Sequence, residues 1–286
     1  MSDSTLDAFV ASLVPPAFDR TTVSERRKAI EDAVTAKTGS VGFIESGSWS
    51  HGTSLNGHSD VDYMCLLLGT QRPALPSSAL TAMKQNIAGS HWAIAQLAIS
   101  SPTVKVTFYT SPHFEIVPAY YKRKHQDIHV FEIPGPDDEW VESIPSAHNK
   151  WVSDVNDRLN KKVKPLARLV KAWKYENSVP VSSFFLEMRT VNYSSDEGAI
   201  IYDMDLRAVF RRLVYSEMRS MNDPLGIVPR IPATSSEANR TFALRQARDA
   251  LEHLEAADAA KTNNDRSTYW SHMTSVFGYD YPYPTW

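Results

Sequence analysis

Asp60 and Asp62 stand one residue apart at the head of an apolar run, Tyr63-Met-Cys-Leu-Leu-Leu68. Upstream, Gly47-Ser48 follows a shorter apolar run, Val41-Gly-Phe-Ile-Glu-Ser46. Side chains alternate faces along a strand, so the two aspartates point the same way. Paired carboxylates repel and lose hydration when partly buried. A divalent cation between them relieves both costs, and hard oxygen ligands suit Mg²⁺. Gly47 and Gly52 permit close backbone approach to an anion, and amides at such a turn can cradle phosphate. A cation site beside a phosphate cradle indicates nucleotide chemistry. A third acid, Glu115, lies in His113-Phe-Glu-Ile-Val-Pro-Ala119.

These residues need a scaffold, and the periodicities supply one. Thr22-Val-Ser-Glu25 reads as a capping box and Gly39 as a stop, which predicts a helix over 24–37. Strands are expected over 41–46 and 60–68, joined by the Gly-rich loop. Residues 72–100 mix Pro and Ser with an Ala-rich helical stretch. Val104-Lys-Val-Thr-Phe-Tyr109 alternates as a strand. Thr110-Ser-Pro112 turns it into a partner strand over 113–117, a hairpin able to bring Glu115 beside Asp60 and Asp62. Residues 122–148, charged and Pro-rich, read as a connector, with Lys122-Arg-Lys124 as a solvated edge. From Lys150 the pattern becomes helical. Leu159, Val163, Leu166, Val170 and Trp173 form one apolar stripe, with Pro165 as a kink or restart. Lys161, Lys164 and Arg168 read as a wet face, and Lys171 falls at the stripe's edge. Helices are also expected over 203–221 and 237–260. The aromatic ending, Tyr279 to Trp286, reads equally as packing or as assembly.

The order Gly-Ser, Asp-x-Asp, later acid resembles the nucleotidyltransferase superfamily of DNA polymerase beta. Within it the chain is similar to the CD-NTases, bacterial relatives of cyclic GMP-AMP synthase and oligoadenylate synthase in anti-phage signalling (CBASS). Trp140, Pro145, His148, the run Leu169-Val-Lys-Ala-Trp173 and Ser182-Ser-Phe-Phe-Leu-Glu187 also match, so the resemblance covers about 40–190. Many members carry Asp where this chain has Glu115, a mild departure. The resemblance implies an α+β fold: a nucleotidyltransferase core with a mixed β-sheet flanked by helices over 1–150, and a mainly helical lobe over 151–286. The active site would lie in the cleft between them, and the N-terminal helix could span both. It implies two Mg²⁺ ions, with Mn²⁺ able to substitute, bridged by Asp60 and Asp62, with Glu115 serving the ion that activates the attacking hydroxyl. Lys171 matches the lysine that meets the donor triphosphate, joined by Gly47, Ser48 and Ser182 or Ser183. The implied activity is synthesis of a cyclic di- or trinucleotide from NTPs. It needs no template and no membrane, and its diffusible product reaches a downstream effector. Two other readings stand beside it. One is another transferase of the superfamily that tails RNA or modifies a protein or small molecule; the other is an inactive nucleotide sensor.

Composition narrows the field. With 286 residues, 42% of them hydrophobic, the chain can bury a substantial core. A net charge of −3 argues against a general nucleic-acid binder. The single cysteine, Cys65, permits no internal disulfide and fits a reducing cytoplasm. No basic start with an apolar core suggests a signal peptide, and no apolar run approaches membrane-span length.

Overall fold

The computed structural model describes residues 4–15, 20–40, 42–58 and 60–286. Its sheet begins with β1 (Gly42–Ser46) antiparallel to β2 (Val61–Leu67). β2 runs parallel to β5 (Phe114–His125), β5 antiparallel to β4 (Thr103–Phe108), and β4 antiparallel to β3 (Ile94–Ser100). The order is β1-β2-β5-β4-β3, and the single parallel pair makes the sheet mixed. Val41 lies outside the described residues.

One face of this sheet carries Tyr63, Cys65, Leu67, Val104, Val106, Phe114 and Ile116. It is covered by α2 (Arg20–Thr38), through Ile30 and Val34, and by α4 (Pro76–Ile87). Ala79, Leu80, Met83 and Ile87 fall on one side of α4 at helical spacing, which fits it to the sheet. The opposite phase of β2 and β5 places Asp62, Met64 and Leu66 beside Glu115, Val117 and Ala119. There a smaller apolar cluster forms around Met64, Ala119 and Phe131.

Residues 122–148 are not a connector. β5 continues to His125, β6 (Ile128–Pro134) pairs with it, and β7 (Trp140–Ser143) pairs with β6. The charges that suggested a solvated edge are cross-strand partners. Lys122 Nζ lies 2.9 Å from Glu132 and 3.0 Å from Glu142, and Arg123 Nη2 donates to Glu142 at 2.8 Å.

From Pro145 onward the chain is helical: α5 (Pro145–Arg158), α6 (Val163–Glu176), α7 (Ser183–Ser194), α8 (Tyr202–Tyr215), α9 (Glu237–Thr262) and α10 (Arg266–Phe277). The stripe from Leu159 to Trp173 crosses a break. Leu159 caps α5, Asn160 and Lys161 are left-handed, and α6 restarts with Pro165 in its first turn, where a missing N–H costs little. The Lys164 amide donates instead to Asn156 Oδ1 at 3.1 Å, across the break. The helix expected over 203–221 ends at Tyr215, where left-handed Glu217 and Met218 turn the chain, and α10 adds a helix beyond the one expected over 237–260. These helices share one core with α1 (Ser4–Ser12), which contributes Leu6, Phe9 and Val10. Among the described residues no helix is long and apolar enough to cross a membrane.

The aromatic ending divides by burial. Tyr281 is 1% exposed, meets Phe9 and Phe277 at ring distances of 5.0 and 5.8 Å, and shares a 2.7 Å hydrogen bond with Tyr269. Tyr279 is 87% exposed. Tyr281→Ala should therefore cost about 3–5 kcal/mol in denaturant unfolding, whereas Tyr279→Ala should stay within about 0.5 kcal/mol. Equal effects would mean the ending does not belong to the core.

Candidate active site

The acidic residues meet through the parallel pair. Asp62 is the register partner of Glu115 across β2 and β5, and Asp60 precedes β2 by one residue. Burial pushes the Asp62 carboxyl up to about 7, reinforced by the charges of Glu115 and Asp60 and opposed by a 3.3 Å hydrogen bond from the Ser48 amide. Glu115 is also raised, first by burial and then by Asp60. Gly47 and Ser48 begin a single helical turn, α3 (Gly47–Ser50), directly after β1. Gly47 has φ +61°, and a Cβ there would run into the Asp62 carboxyl, so both conformation and space demand glycine.

Two residues missing from the sequence reading complete this region. Lys105 is the register partner of Glu115 across β4 and β5; its Nζ lies 2.6 Å from Asp60 Oδ2 and 3.9 Å from Glu115 Oε1. The hairpin turn itself held the signal, since reflection through Thr110 carries 105 onto 115. The second is Lys174, whose Nζ donates to Ser183 Oγ at 2.6 Å and sits 4.6 Å from the centroid of the Tyr175 ring. Burial and the neighbouring Lys171 charge lower Lys174 to about 8, with Glu115 acting in the opposite sense. The Tyr175 hydroxyl is 3.2 Å from Ser183 Oγ, and His58 stacks on the Tyr175 ring at 4.7 Å.

Lys171 is buried behind the loop, with its charge still felt at Asp62. It is 1% exposed, donates to Thr53 O at 2.7 Å, and lies 3.9 Å from Glu187 Oε2. Glu187 also receives His51 Nδ1 and Thr53 Oγ1. Burial would raise the Glu187 carboxyl, but His51, Lys171 and Thr53 together hold it below its ordinary range. The wet-face expectation fails for two of its three residues. Arg168 donates to Ser54 O at 3.1 Å and to Gly52 O at 2.6 Å, and Lys164 Nζ donates to Ser153 at 3.3 Å while packing against Gly52. Lys161 is exposed, in the turn before α6. Ser182 caps α7, its hydroxyl accepting from the Phe185 amide, so the structure separates it from Ser183.

The donor set suits a divalent cation: carboxylates at the end of one parallel pair, two of them, Asp62 and Glu115, destabilised as anions by burial and by neighbouring carboxylates. Among the described residues no three acidic, histidine or cysteine side chains already converge as a ligand set. The Lys105 ammonium lies against Asp60 and Glu115.

The family model described as "Second Messenger Oligonucleotide or Dinucleotide Synthetase domain" matches residues 1–156. Among solved structures, Escherichia coli MS115-1 CdnC with ATP is similar at TM-score 0.75 and 19% identity, covering 99% of each chain. Vibrio cholerae DncV, a cyclic AMP-GMP synthase with the linear intermediate pppA(3′,5′)pG, gives 0.72 and 13%, covering 98% of this chain and 96% of that one. Elizabethkingia meningoseptica CdnE, a cyclic dinucleotide synthase with GTP and Apcpp, gives 0.67 and 16%, covering 89% and 99%. At these identities the likeness is one of fold. No curated protein sequence matches the chain.

Asp62 yields a prediction with a definite sign. Its folded pKa, about 7, lies above the ordinary 3.8, so its charge penalty is fully present above pH 7 and is relieved as pH falls toward 4. In metal-free buffer Asp62→Asn should therefore stabilise the protein, and by on the order of 2 kcal/mol more at pH 8 than at pH 5. Thermal melts of parent and variant at both pH values check this. A variant gain that is the same at both would remove the burial argument.

Proposed function

We propose, because the chain belongs to the Second Messenger Oligonucleotide or Dinucleotide Synthetase family, that it is a Mg²⁺-dependent nucleotidyltransferase making a cyclic di- or trinucleotide from NTPs. The carrying observation is the Asp62–Glu115 parallel register beside the Gly47-Ser48 turn, with Lys174 of the helical part within charge reach of Glu115. ATP in the structure of CdnC and GTP in that of CdnE support NTPs as substrates. The same reading takes 1–150 as catalytic core and 151–286 as the lobe that contributes phosphate and base contacts. It places the enzyme in the bacterial cytoplasm, in anti-phage signalling through a diffusible product.

Asp60, Asp62 and Glu115 would hold the divalent ions. When bound there, such ions lower the pKa of the attacking hydroxyl and neutralise the leaving pyrophosphate. The hydroxyl gives its proton to water, its oxygen forms a bond to the α-phosphorus, and the bond from that phosphorus to the bridging oxygen of the β-phosphate breaks with its electron pair on the leaving pyrophosphate. Lys174 and the Ser183 hydroxyl, already paired, bind the β- and γ-phosphates and fix the donor in line. The Ser48 hydroxyl joins them, while its amide remains with Asp62. Lys171, Arg168 and Lys164 act through the loop carrying Gly52, Thr53 and Ser54, holding its position. After the first transfer the linear intermediate turns over in the same cleft and the second transfer closes the ring.

The two lysines should part company on mutation. Lys174→Ala should fold normally and raise KM for NTP about tenfold or more. Lys171→Ala leaves the buried Thr53 carbonyl without its donor and removes a charge facing Glu187, and should cost about 1–3 kcal/mol of stability. Phosphate binding favours the protonated amine, so parent KM should rise as pH passes about 8, and Lys174→Arg should lack that rise. Kinetics unaltered in Lys174→Ala would return the phosphate role to another cation.

The product is tested directly by incubating purified protein with all four labelled NTPs and Mg²⁺. A cyclic product resists both phosphatase and exonuclease, having neither a terminal phosphate nor a free end. Linear, phosphatase-sensitive chains alone, or labelling of an added RNA or protein, would leave a nucleotidyltransferase but not a cyclase.

A further inference from the structure

Lys105 has no part in the chemistry just described, yet it touches the acidic residues at its centre. It lies in β4 between fully buried Val104 and Val106, and strand alternation sends its side chain to the opposite face, the one bearing Glu115. Its ammonium is 2.6 Å from Asp60 Oδ2 and 3.9 Å from Glu115 Oε1, so one cation spans two of the three carboxylates. An ammonium and a divalent ion cannot share the same oxygen lone pairs. Charge exchange favours the divalent ion once a triphosphate adds its own negative charge, and disfavours it before.

On the reading of Asp60, Asp62 and Glu115 as cation ligands, we infer that Lys105 is an internal counter-ion that must leave Asp60 before a divalent ion can bind. It keeps the nucleotide-free protein's metal affinity low and couples metal entry to nucleotide entry. The strand position is held by backbone pairing on both sides, so only the flexible side chain has to move. Asp60 is the side chain released by that move.

The test is Mn²⁺ titration of nucleotide-free protein, with free ion read by electron paramagnetic resonance. Lys105→Met keeps the length of the side chain and removes its charge; it should tighten Mn²⁺ at least about tenfold. Lys105→Arg keeps the charge and should remain as weak as the parent. Unchanged or weaker binding in Lys105→Met overturns the inference. Adding Asp62→Asn to Lys105→Met should abolish the tight binding. If the binding persists, the ion sits elsewhere and the reading of the acidic trio itself fails. A measurement on the unaltered protein stands apart from any variant's folding. Acetylation of Lys105 by an amine-reactive ester, followed by peptide mass spectrometry, should rise several-fold when millimolar Mg²⁺ is added with ATP. Equal labelling with and without the ion overturns the displacement.

Discussion

Everything at the site hangs on how one loop is tethered to one helix. Along α6, Lys164, Arg168 and Lys171 meet the loop that follows the Gly-Ser turn: Lys164 packs against Gly52, Arg168 donates to the carbonyls of Gly52 and Ser54, and Lys171 donates to that of Thr53. The spacing of four and three residues puts these cations on one helix face, so a rigid rod presents them to consecutive loop residues. Glu187 of α7 closes the network by receiving His51 and Thr53 and facing Lys171. A buried ion pair adds little net stability, because desolvation consumes most of the attraction. Its effect here is positional. Sliding the loop would leave buried donors without acceptors, at about 1–3 kcal/mol each.

That tether joins two chemically different halves of the site. The carboxylates belong to the sheet, where the β2–β5 register fixes Asp62 against Glu115. The hydrogen-bonded pair of Lys174 and Ser183 belongs to the helices. Between them stands α3, which receives the Asp62 contact at Ser48 and passes directly into the tethered loop. Lys174 lies three residues beyond Lys171 on the same helix, so the residues that hold the loop also set the distance from ammonium to carboxylate. The loop has a second anchor outside α6, since the Asn56 amide donates to Leu13 O, just past α1.

How much of this the sequence discloses follows from what each pattern encodes. Period-two alternation with a turn at Thr110 makes the β4–β5 hairpin legible, and with it the convergence of Glu115 on the Asp-x-Asp pair. β6 and β7 are hidden because their charges are satisfied by each other. A run such as Lys122-Arg-Lys reads as solvated until Glu132 and Glu142 are known to lie across the ladder. The lysines on α6 are a finer case. Helical periodicity separates an apolar face from a basic one, but whether a basic residue meets water, a ligand or another segment depends on what the fold lays over it. Here a distant loop covers Lys171 and leaves Lys174 facing Ser183.

The acidic trio shows why such a site needs restraint from outside itself. Burial raises Asp62 and Glu115, and the two carboxylates and Asp60 oppose one another; left alone, they would relax by turning outward to water. Three features prevent this. The parallel register leaves Asp62 no freedom along the strand, the Ser48 amide holds its carboxyl, and glycine at 47 lets the turn press close against it. Lys105 supplies the remaining compensation at Asp60. The apo arrangement is thus a strained set of anions clamped by backbone, and the clamp is strongest at Asp62, the carboxylate most destabilised by burial. A group destabilised as an anion and unable to move away keeps that cost until its charge is neutralised, so the sheet register and the α6 tether act as one device that holds the cost at Asp62.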